Sequence, residues 1–191
     1  MSVSLREPMT LAEFLEWEER QELRWEFDGI QPVAMTGGSD DHTRIQVNLS
    51  THIDNHLRGR SCRFYNSDHR FQVEAGHVRY PDGMVLCRPF KKTDTIVYNP
   101  TIVFEVTSQS TRGSDFGLKR RDYQDTPSVQ RYVIIEQDFI GATVYARSGG
   151  TWIEQTLSGG DTLALPEIGF TLSLAELYYR TRLQPEPEDQ E

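Results

Sequence analysis

Thr101-Ile-Val-Phe-Glu-Val106 is an almost unbroken apolar and β-branched run, and the fold prediction rests on it. Such a run is typical of a strand that is buried on both faces of a sheet. Arg131-Tyr-Val-Ile-Ile135 is a second run of this kind. Between the two runs we predict a helix over residues 115–124, which Ser114 caps and Thr126-Pro127 ends. This order predicts a mixed sheet with flanking helices.

Two helices are predicted on the N-terminal side of these strands. Thr10-Leu-Ala-Glu13 has the capping-box pattern, in which a hydroxyl and a carboxylate satisfy the first free amides of a helix. Ser39-Asp-Asp41 opens the second helix, and Gly59 ends it. Apolar residues recur along one face of this second helix, which predicts that the face packs on the sheet: Ile45, Leu49, Ile53 and Leu57.

Hairpins and a closing helix complete the predicted fold. Asp28-Gly29 supplies a tight turn, and Pro32 in the following strand places that strand at a sheet edge. Ser148-Gly-Gly150 forms the turn of another hairpin. Ser173-Leu-Ala-Glu176 begins a closing helix. We therefore predict the α/β class (an α+β mixed sheet) in a single domain over residues 1–183, followed by a disordered acidic tail over residues 184–191.

Bulk composition limits the classes of protein that this chain can represent. The 191 residues carry a formal net charge of −9, which argues against tight, non-specific binding to long DNA. No apolar run reaches the roughly 20 residues that a membrane span requires, and the N-terminus lacks the pattern of a signal peptide. We therefore expect a cytoplasmic protein without a membrane partner. Cys62 and Cys87 are accordingly expected to be reduced thiols.

Two acidic residues lie within otherwise apolar β structure. Glu105 interrupts the central run, and an ionised carboxylate there is costly without a nearby cation or strong donors. Asp82 ends a short strand and precedes the apolar run Gly83-Met-Val-Leu86. If their strands are neighbours, the two carboxylates form a hard oxygen site that suits Mg²⁺ or Mn²⁺. Each acid alone also has a structural explanation, as a turn residue or as an ion-paired strand residue.

A lysine on the predicted helix can complete this site. Asp115, Lys119 and Tyr123 are spaced four apart, so they share one helix face. If that face lies beside the Glu105 strand, the Lys119 amine reaches the two carboxylates. The alternative is an ordinary Asp–Lys surface pair with Tyr123 packed on the sheet.

A different metal site is conceivable at His52-x-x-x-His56, whose helical spacing can bind zinc. The pattern lacks a glutamate next to the first histidine and has no obvious third ligand. A half-buried or solvated helix face is the favoured interpretation.

Several short motifs in a fixed order resemble the Uma-two family, a large bacterial family of restriction endonucleases in the PD-(D/E)xK superfamily. The motifs are Trp25-Glu-Phe-Asp-Gly29, His42, Tyr80-Pro-Asp-Gly83, Phe104-Glu-Val-Thr-Ser-Gln-Ser-Thr111, Asp115-x-x-x-Lys119-x-x-x-Tyr123 and Tyr132-Val-Ile-Ile135. The resemblance covers residues 9–179, which is nearly the whole chain. Each motif is short, and their order and spacing carry the specificity.

The resemblance implies a restriction-endonuclease-like core with a site for phosphodiester cleavage. Asp82 and Glu105 would hold one or two Mg²⁺ or Mn²⁺ ions, with the Val106 carbonyl as a further ligand. The superfamily usually places its lysine at the position that Thr107 occupies here, and Lys119 would take over that role.

Two further residues match the family pattern. Glu26 is either a third acid near the metal or a hairpin residue. His42 either lines the cleft or lies on the surface. Asp115, Tyr123 and Thr107 complete the predicted lining of the site.

The predicted function is metal-dependent hydrolysis of nucleic-acid phosphodiester bonds, with DNA as the expected substrate and a homodimer as the expected assembly. An alternative is a nucleic-acid-binding or protein-binding module on the same fold with weak or absent catalysis. The net charge and Thr107 in the usual lysine position favour this alternative. A third possibility is an assembly protein that dimerises through the exposed edge of a hairpin.

Overall fold

The structure is a computed structural model that describes residues 8–35, 37–89 and 95–184. In chain order its strands are β1 (Trp25–Phe27), β2 (Pro32–Ala34), β3 (Arg63–Asn66), β4 (Arg70–Gln72), β5 (Val78–Arg79), β6 (Gly83–Leu86), β7 (Ile96–Val97), β8 (Ile102–Thr107), β9 (Arg131–Glu136), β10 (Gly141–Ser148), β11 (Thr151–Ser158), β12 (Thr162–Leu165) and β13 (Phe170–Ser173). Its helices are α1 (Leu11–Glu18), α2 (Asp40–Leu57), α3 (Arg112–Ser114), a π-helical turn (Asp115–Lys119), α4 (Arg120–Asp125), a 3-10 turn (Pro166–Ile168) and α5 (Leu174–Leu177).

A six-stranded mixed sheet carries the main core. Its order is β11-β10-β9-β8-β6-β3. The two runs predicted as central strands are β8 and β9, which pair in parallel. Residues 112–125 form the helical connection between them, as parallel neighbours require. The predicted mixed α/β class with flanking helices is confirmed.

Helices cover both faces of this sheet. On one face, α2 buries the predicted stripe against residues such as Phe104 and Val133 of the central strands. On the other face, Tyr123 of α4 packs with Val103 and Tyr132. Alternate residues of β8 therefore enter different cores, since side chains of a strand point to opposite faces in turn. Both faces of β8 are closed to water.

A second, five-stranded sheet is formed by strands from the N-terminal half of the chain and has the order β2-β1-β5-β4-β7. The predicted hairpin around Asp28-Gly29 is confirmed as β1–β2, and Pro32 begins the edge strand. The capping box at Thr10 is also confirmed, because its side chain and that of Glu13 satisfy each other's amides. The small β12–β13 hairpin was not predicted.

The helix between β8 and β9 begins earlier than predicted. It starts at Arg112, and Ser114 lies inside it with helical dihedral angles and no side-chain cap bond. The π-helical turn then leads into α4, which ends at Thr126 as expected. The predicted cap at Ser114 is therefore wrong, because the chain is already helical there. Asp115 and Lys119 nevertheless lie close together, as predicted, with Lys119 Nζ 3.6 Å from Asp115 Oδ1.

Cys62 and Cys87 form a disulfide, so the expectation of two reduced thiols is wrong. Strands β3 and β6 are antiparallel and pair Arg63 with Leu86. The cysteines occupy the next position along this register, which brings their side chains together. Strand register is a tertiary property, and the spacing of 25 residues in the sequence does not reveal it.

Reduction of this disulfide is expected to lower the free energy of unfolding by about 2–4 kcal/mol, because the bridge restricts the unfolded chain. Urea unfolding with and without a thiol reductant measures the difference. The Cys62→Ala/Cys87→Ala variant is the control, since the reductant should leave its unfolding midpoint unchanged. A wild-type midpoint that does not respond to the reductant would contradict the prediction.

The two helix histidines have separate partners. His56 Nε2 lies 2.9 Å from the Ile168 carbonyl oxygen, and His52 Nε2 lies 3.7 Å from Glu176 Oε2. These contacts agree with a half-buried helix face. Within the described ranges, no helix is both long and apolar enough to cross a membrane. Of the predicted acidic tail, all but Gln184 lies outside the described residues.

Candidate active site

The two predicted acids meet at the junction of neighbouring strands. Strands β6 and β8 are antiparallel, with Gly83 opposite Phe104. One step further along this register places Asp82 opposite Glu105. Both residues line a single pocket of about 220 Å³. The two acids therefore lie close together, as predicted.

Two side chains of α2 and one backbone amide of β8 contact the Asp82 carboxylate. Its Oδ2 accepts a hydrogen bond of 2.6 Å from the Val106 backbone N–H, and its Oδ1 accepts one of 2.5 Å from Gln46 Nε2. His42 Nε2 lies 3.3 Å from Oδ1. The His42 side chain is 16% exposed and lines the pocket, so the cleft-lining alternative applies. Helix α2 thus fixes the orientation of Asp82.

Glu105 is buried, with donors on one of its oxygens. Lys119 Nζ donates to Oε1 at 3.1 Å and Tyr123 OH donates to the same atom at 2.8 Å. Burial raises the pKa of Glu105 well above its usual value; the Lys119 amine opposes this, and nearby carboxylates, including that of Asp115, add to it. A further positive charge placed next to such a carboxylate would stabilise its ionised form.

Lys119 lies at the centre of a ring of carboxylates. Its Nζ is 3.1 Å from Glu26 Oε1, 3.1 Å from Glu105 Oε1 and 3.6 Å from Asp115 Oδ1. Burial acts to lower the pKa of Lys119, but the carboxylates, Glu105 foremost, outweigh it and raise the pKa. The amine is therefore a fixed cation that is already aimed at Glu105.

Glu26 belongs to the site and is oriented by a second set of ion pairs. Its Oε1 accepts from the Tyr80 backbone N–H at 3.2 Å, and its Oε2 lies 3.4 Å from Arg79 Nη1. Arg79, which is 2% exposed, also donates through Nε to Asp122 Oδ2 at 2.8 Å. His77 Nδ1 lies 2.9 Å from the other Asp122 oxygen. The buried ion pairs Arg79–Glu26 and Arg79–Asp122 thus connect His77 with the centre of the site.

The donor set fits a hard divalent cation. Glu26, Glu105 and Asp115 contact one amine, and Asp82 lies in the same pocket, so the carboxylates of the cluster outnumber its lysine in a buried place. Among the described residues, no three His, Cys, Asp or Glu side chains form a ready metal cluster. Mg²⁺ does not require one, because it commonly binds one or two carboxylates and keeps water and phosphate oxygens as its other ligands. Asp82 and Glu105 supply such a pair.

Nearly all the predicted site residues come together. Asp82, Glu105, Val106, Lys119, Glu26 and His42 line the pocket. Asp115 and Tyr123 stand behind it and contact Lys119 and Glu105. Thr107 differs: its hydroxyl lies 3.5 Å from Thr111 Oγ1 and does not take the place of the superfamily's lysine.

Sequence reasoning missed the residues that orient the carboxylates. Gln46 and Arg79 carry no motif, and their partners lie 36 residues (Asp82) and 43 residues (Asp122) away in the chain. Arg79 lies between Val78 and Tyr80 in the segment that leads to Asp82, and its two apolar neighbours were the one available signal. Sequence reasoning also missed the apolar side of the pocket, formed by Val33, Ala34 and Met35.

The mixed sheet, its flanking helices and the paired acids at the strand junction define a restriction-endonuclease-like fold. The Uma2 family model, described as "Putative restriction endonuclease", matches residues 11–175. The chain belongs to this family, as the resemblance to the Uma-two motifs indicated.

Relatives of known sequence and structure agree. The chain is 37% identical over 170 residues to the uncharacterized protein slr1290 of Synechocystis sp., covering 87% of this chain and 89% of that protein. It is 31% identical over 164 residues to the uncharacterized protein sll1609 of the same organism, covering 83% and 93%. The crystal structure of "a putative nuclease belonging to DUF820" from Anabaena variabilis superposes with a TM-score of 0.73 at 18% identity, covering 90% of this chain and 98% of that one.

Proposed function

We propose that the protein is a Mg²⁺- or Mn²⁺-dependent endonuclease that hydrolyses phosphodiester bonds, with DNA as substrate. The observation that carries the proposal is the single pocket in which Asp82 and Glu105 lie together with the Lys119 amine. Membership of a family described as restriction endonucleases supports the same reaction class.

Each residue has a distinct task in this mechanism. The divalent ion, when bound, makes its water more acidic and offsets charge that develops on the phosphate. Asp82 and Glu105 would hold the ion, with the Val106 carbonyl as a further ligand. Lys119 orients the attacking water or neutralises negative charge at the phosphate. Glu26 and Asp115 hold the amine in position, and Tyr123 holds Glu105.

Asp82→Asn is expected to remove Mn²⁺ binding and to lower cleavage at least about 100-fold, since it removes a ligand of the ion that would offset charge on the phosphate in the transition state. Titration calorimetry with Mn²⁺ alone and cleavage of supercoiled plasmid in Mg²⁺ or Mn²⁺ measure the two effects. Asp125→Asn, an exposed acid at the end of α4, is the matched control and should behave as wild type. Equal cleavage by wild type and Asp82→Asn would refute the assignment.

The alternative of a binding module without catalysis predicts a different result. In that case calorimetry detects no divalent ion, while DNA or a protein still binds. The net charge of −9 is the observation that favours it. The second argument for a binding module was that Thr107 stands where the superfamily usually has its lysine. The contact of Lys119 with Glu105 weakens this argument, because Lys119 would take the role of that lysine.

A homodimer is part of the proposal. Strand β11 is an edge of the central sheet, and most of its residues are exposed. An edge strand of eight residues offers unpaired backbone groups to a second chain. Light scattering of the purified protein tests the assembly independently of activity.

A further inference from the structure

The turn after α2 and the start of β3 carry positive charge that their surroundings do not balance. Residues 58–66 contain three arginines and no acid, whereas the whole chain has a net charge of −9. Arg58, Arg60 and Arg63 are exposed, and within the described ranges no carboxylate lies at ion-pair distance from them. Arginines elsewhere, such as Arg70 and Arg131, do have carboxylate partners. The charge at residues 58–63 is therefore available to an external anion.

The disulfide brings a fourth arginine to the same place. Cys62 and Cys87 are bonded, with their Cα atoms 4.0 Å apart. Arg63 follows the first cysteine and Arg88 follows the second, and Arg88 is also exposed. The four arginines, at positions 58, 60, 63 and 88, are called the arginine surface.

A polar groove between α2 and the edge strand β3 adjoins the arginine surface. It consists of two hollows that share Arg58 and Tyr65, and one of them is also lined by Arg60 and Arg63. The other hollow contains side chains that can donate hydrogen bonds to phosphate oxygens: Ser50, Thr51, Asn55 and Asn66. Asp54 is the single acid among the described residues that line the groove.

The groove begins next to the proposed metal ligand Asp82. Strand pairing sets Asn66 opposite Gly83, which follows Asp82 in the chain. The Asp82 carboxylate contacts Gln46 of α2, so it lies on the side of the sheet that the groove also occupies. The groove therefore connects the active site with the arginine surface.

Strand geometry gives the length of this path. Arg63 lies opposite Leu86, four residues beyond Asp82. With a rise of about 3.3 Å per residue and about 4.8 Å between strands, the Cα atoms of Arg63 and Asp82 are roughly 14 Å apart. One strand of a DNA duplex advances about 3.4 Å per nucleotide. A duplex with one phosphate at Asp82 can therefore present another, about four nucleotides away, to the arginine surface.

The active-site pocket itself attracts a phosphate backbone weakly. Lys119 is the single lysine or arginine among the described residues that line the pocket, and it already contacts three carboxylates. Binding of nucleic acid depends on several cations that each neutralise a phosphate. Cations outside the pocket must therefore hold the substrate.

We propose that the arginine surface and the adjoining groove bind the phosphate backbone of duplex DNA on one side of the bond that is cleaved. This inference rests on the function proposed above for the identity of the substrate as DNA. Charged residues on an edge strand also discourage pairing with another chain. That role does not require Arg58 and Arg60, which precede the strand.

Binding of a short labelled duplex in EDTA, measured over a range of salt concentrations with the full chain, tests the inference without cleavage. Arg58→Gln/Arg63→Gln is expected to weaken binding at least about 10-fold at about 0.1 M salt. It should also reduce the slope of log K against log salt concentration by about 2, because each lost phosphate contact releases about one counterion fewer. Both arginines are exposed, so the urea unfolding midpoint should stay that of wild type.

Arg20→Gln/Arg121→Gln is the matched control, because it removes the same charge from two exposed arginines, one just after α1 and one on α4. The salt slope of this control should equal that of wild type. Equal slopes for the two double variants, or no binding of the duplex by wild type, would overturn this inference. A wild type that binds the duplex through the arginine surface but does not cleave it in Mn²⁺ would overturn the nuclease proposal and leave the DNA-binding surface in place.

Discussion

Glu105→Gln is expected to lower cleavage at least about 100-fold and to leave the free energy of unfolding unchanged or about 0.5–2 kcal/mol higher. The amide has nearly the shape of the carboxyl, and its Oε1 can still accept from Lys119 Nζ and Tyr123 OH. What it loses is the negative charge that a divalent ion requires. Loss of activity without loss of stability separates a metal ligand from a structural ion pair.

The pH dependence of stability gives a second readout for the same variant. Burial raises the pKa of Glu105 in the folded state. A carboxyl with a raised folded pKa favours folding while it is protonated, so its contribution to stability falls as pH rises from the unfolded pKa towards the folded one. Glutamine has no such titration. The stability gain of Glu105→Gln over wild type is therefore expected to be larger at pH 8 than at pH 5.

Urea unfolding at both pH values, with Glu74→Gln as the control, measures this effect. Glu74 is an exposed turn residue, so its substitution should change neither cleavage nor stability appreciably. A loss of several kcal/mol for Glu105→Gln would show that the charge is needed to balance Lys119. That outcome would contradict the excess of negative charge described at the site.

Arg79→Met is expected to lower the free energy of unfolding by about 3–5 kcal/mol, the cost of removing one partner of a buried ion pair. Arg79 is 2% exposed and binds Asp122 and Glu26. Methionine fills much of the same volume but leaves the buried Asp122 without its guanidinium partner and leaves Glu26 with Lys119 as its remaining cation. Chemical denaturation of the purified protein measures the loss.

Arg24→Met is the matched control for Arg79→Met. Arg24 pairs with Asp68 at 3.0 Å, but both side chains are about half exposed or more. An exposed pair of this kind contributes about 1 kcal/mol or less. Similar losses for the two variants would show that Arg79 contributes through packing alone. The double variant Arg79→Met/Asp122→Asn should lose less than the sum of the two single variants, because the residues interact directly.

The sequence allowed prediction of the parts of the fold that depend on local pattern. The β-branched runs at 102–107 and 131–136 are buried on both faces, and this composition marks them as central strands. The spacing of Asp115, Lys119 and Tyr123 placed the amine on one helix face. The sequence did not predict the π-helical turn in this helix.

The missed features depend on contacts between distant segments. Asp122 meets Arg79 across 43 residues, and no periodicity of either segment indicates that the pair forms. The disulfide likewise depends on the register of β3 against β6, which is set by the packing of the whole sheet. The apolar wall at Val33 became visible once β1 and β2 were placed next to the carboxylates. The sequence identified which residues are chemically able to act, and tertiary structure identified their partners.

Lys119 lies on a helix and not on the strand that carries Glu105, and this changes the pattern that a sequence search for such proteins should use. A search pattern with a lysine two residues beyond the second acid fails at Thr107 and would discard this chain. The contact between Lys119 and Glu105 spans 14 residues, because the chain must finish β8 and enter the next helix before the amine returns to the acid. A pattern that pairs a strand glutamate with a lysine about 14 residues later, inside the crossover helix, would retrieve proteins of this design.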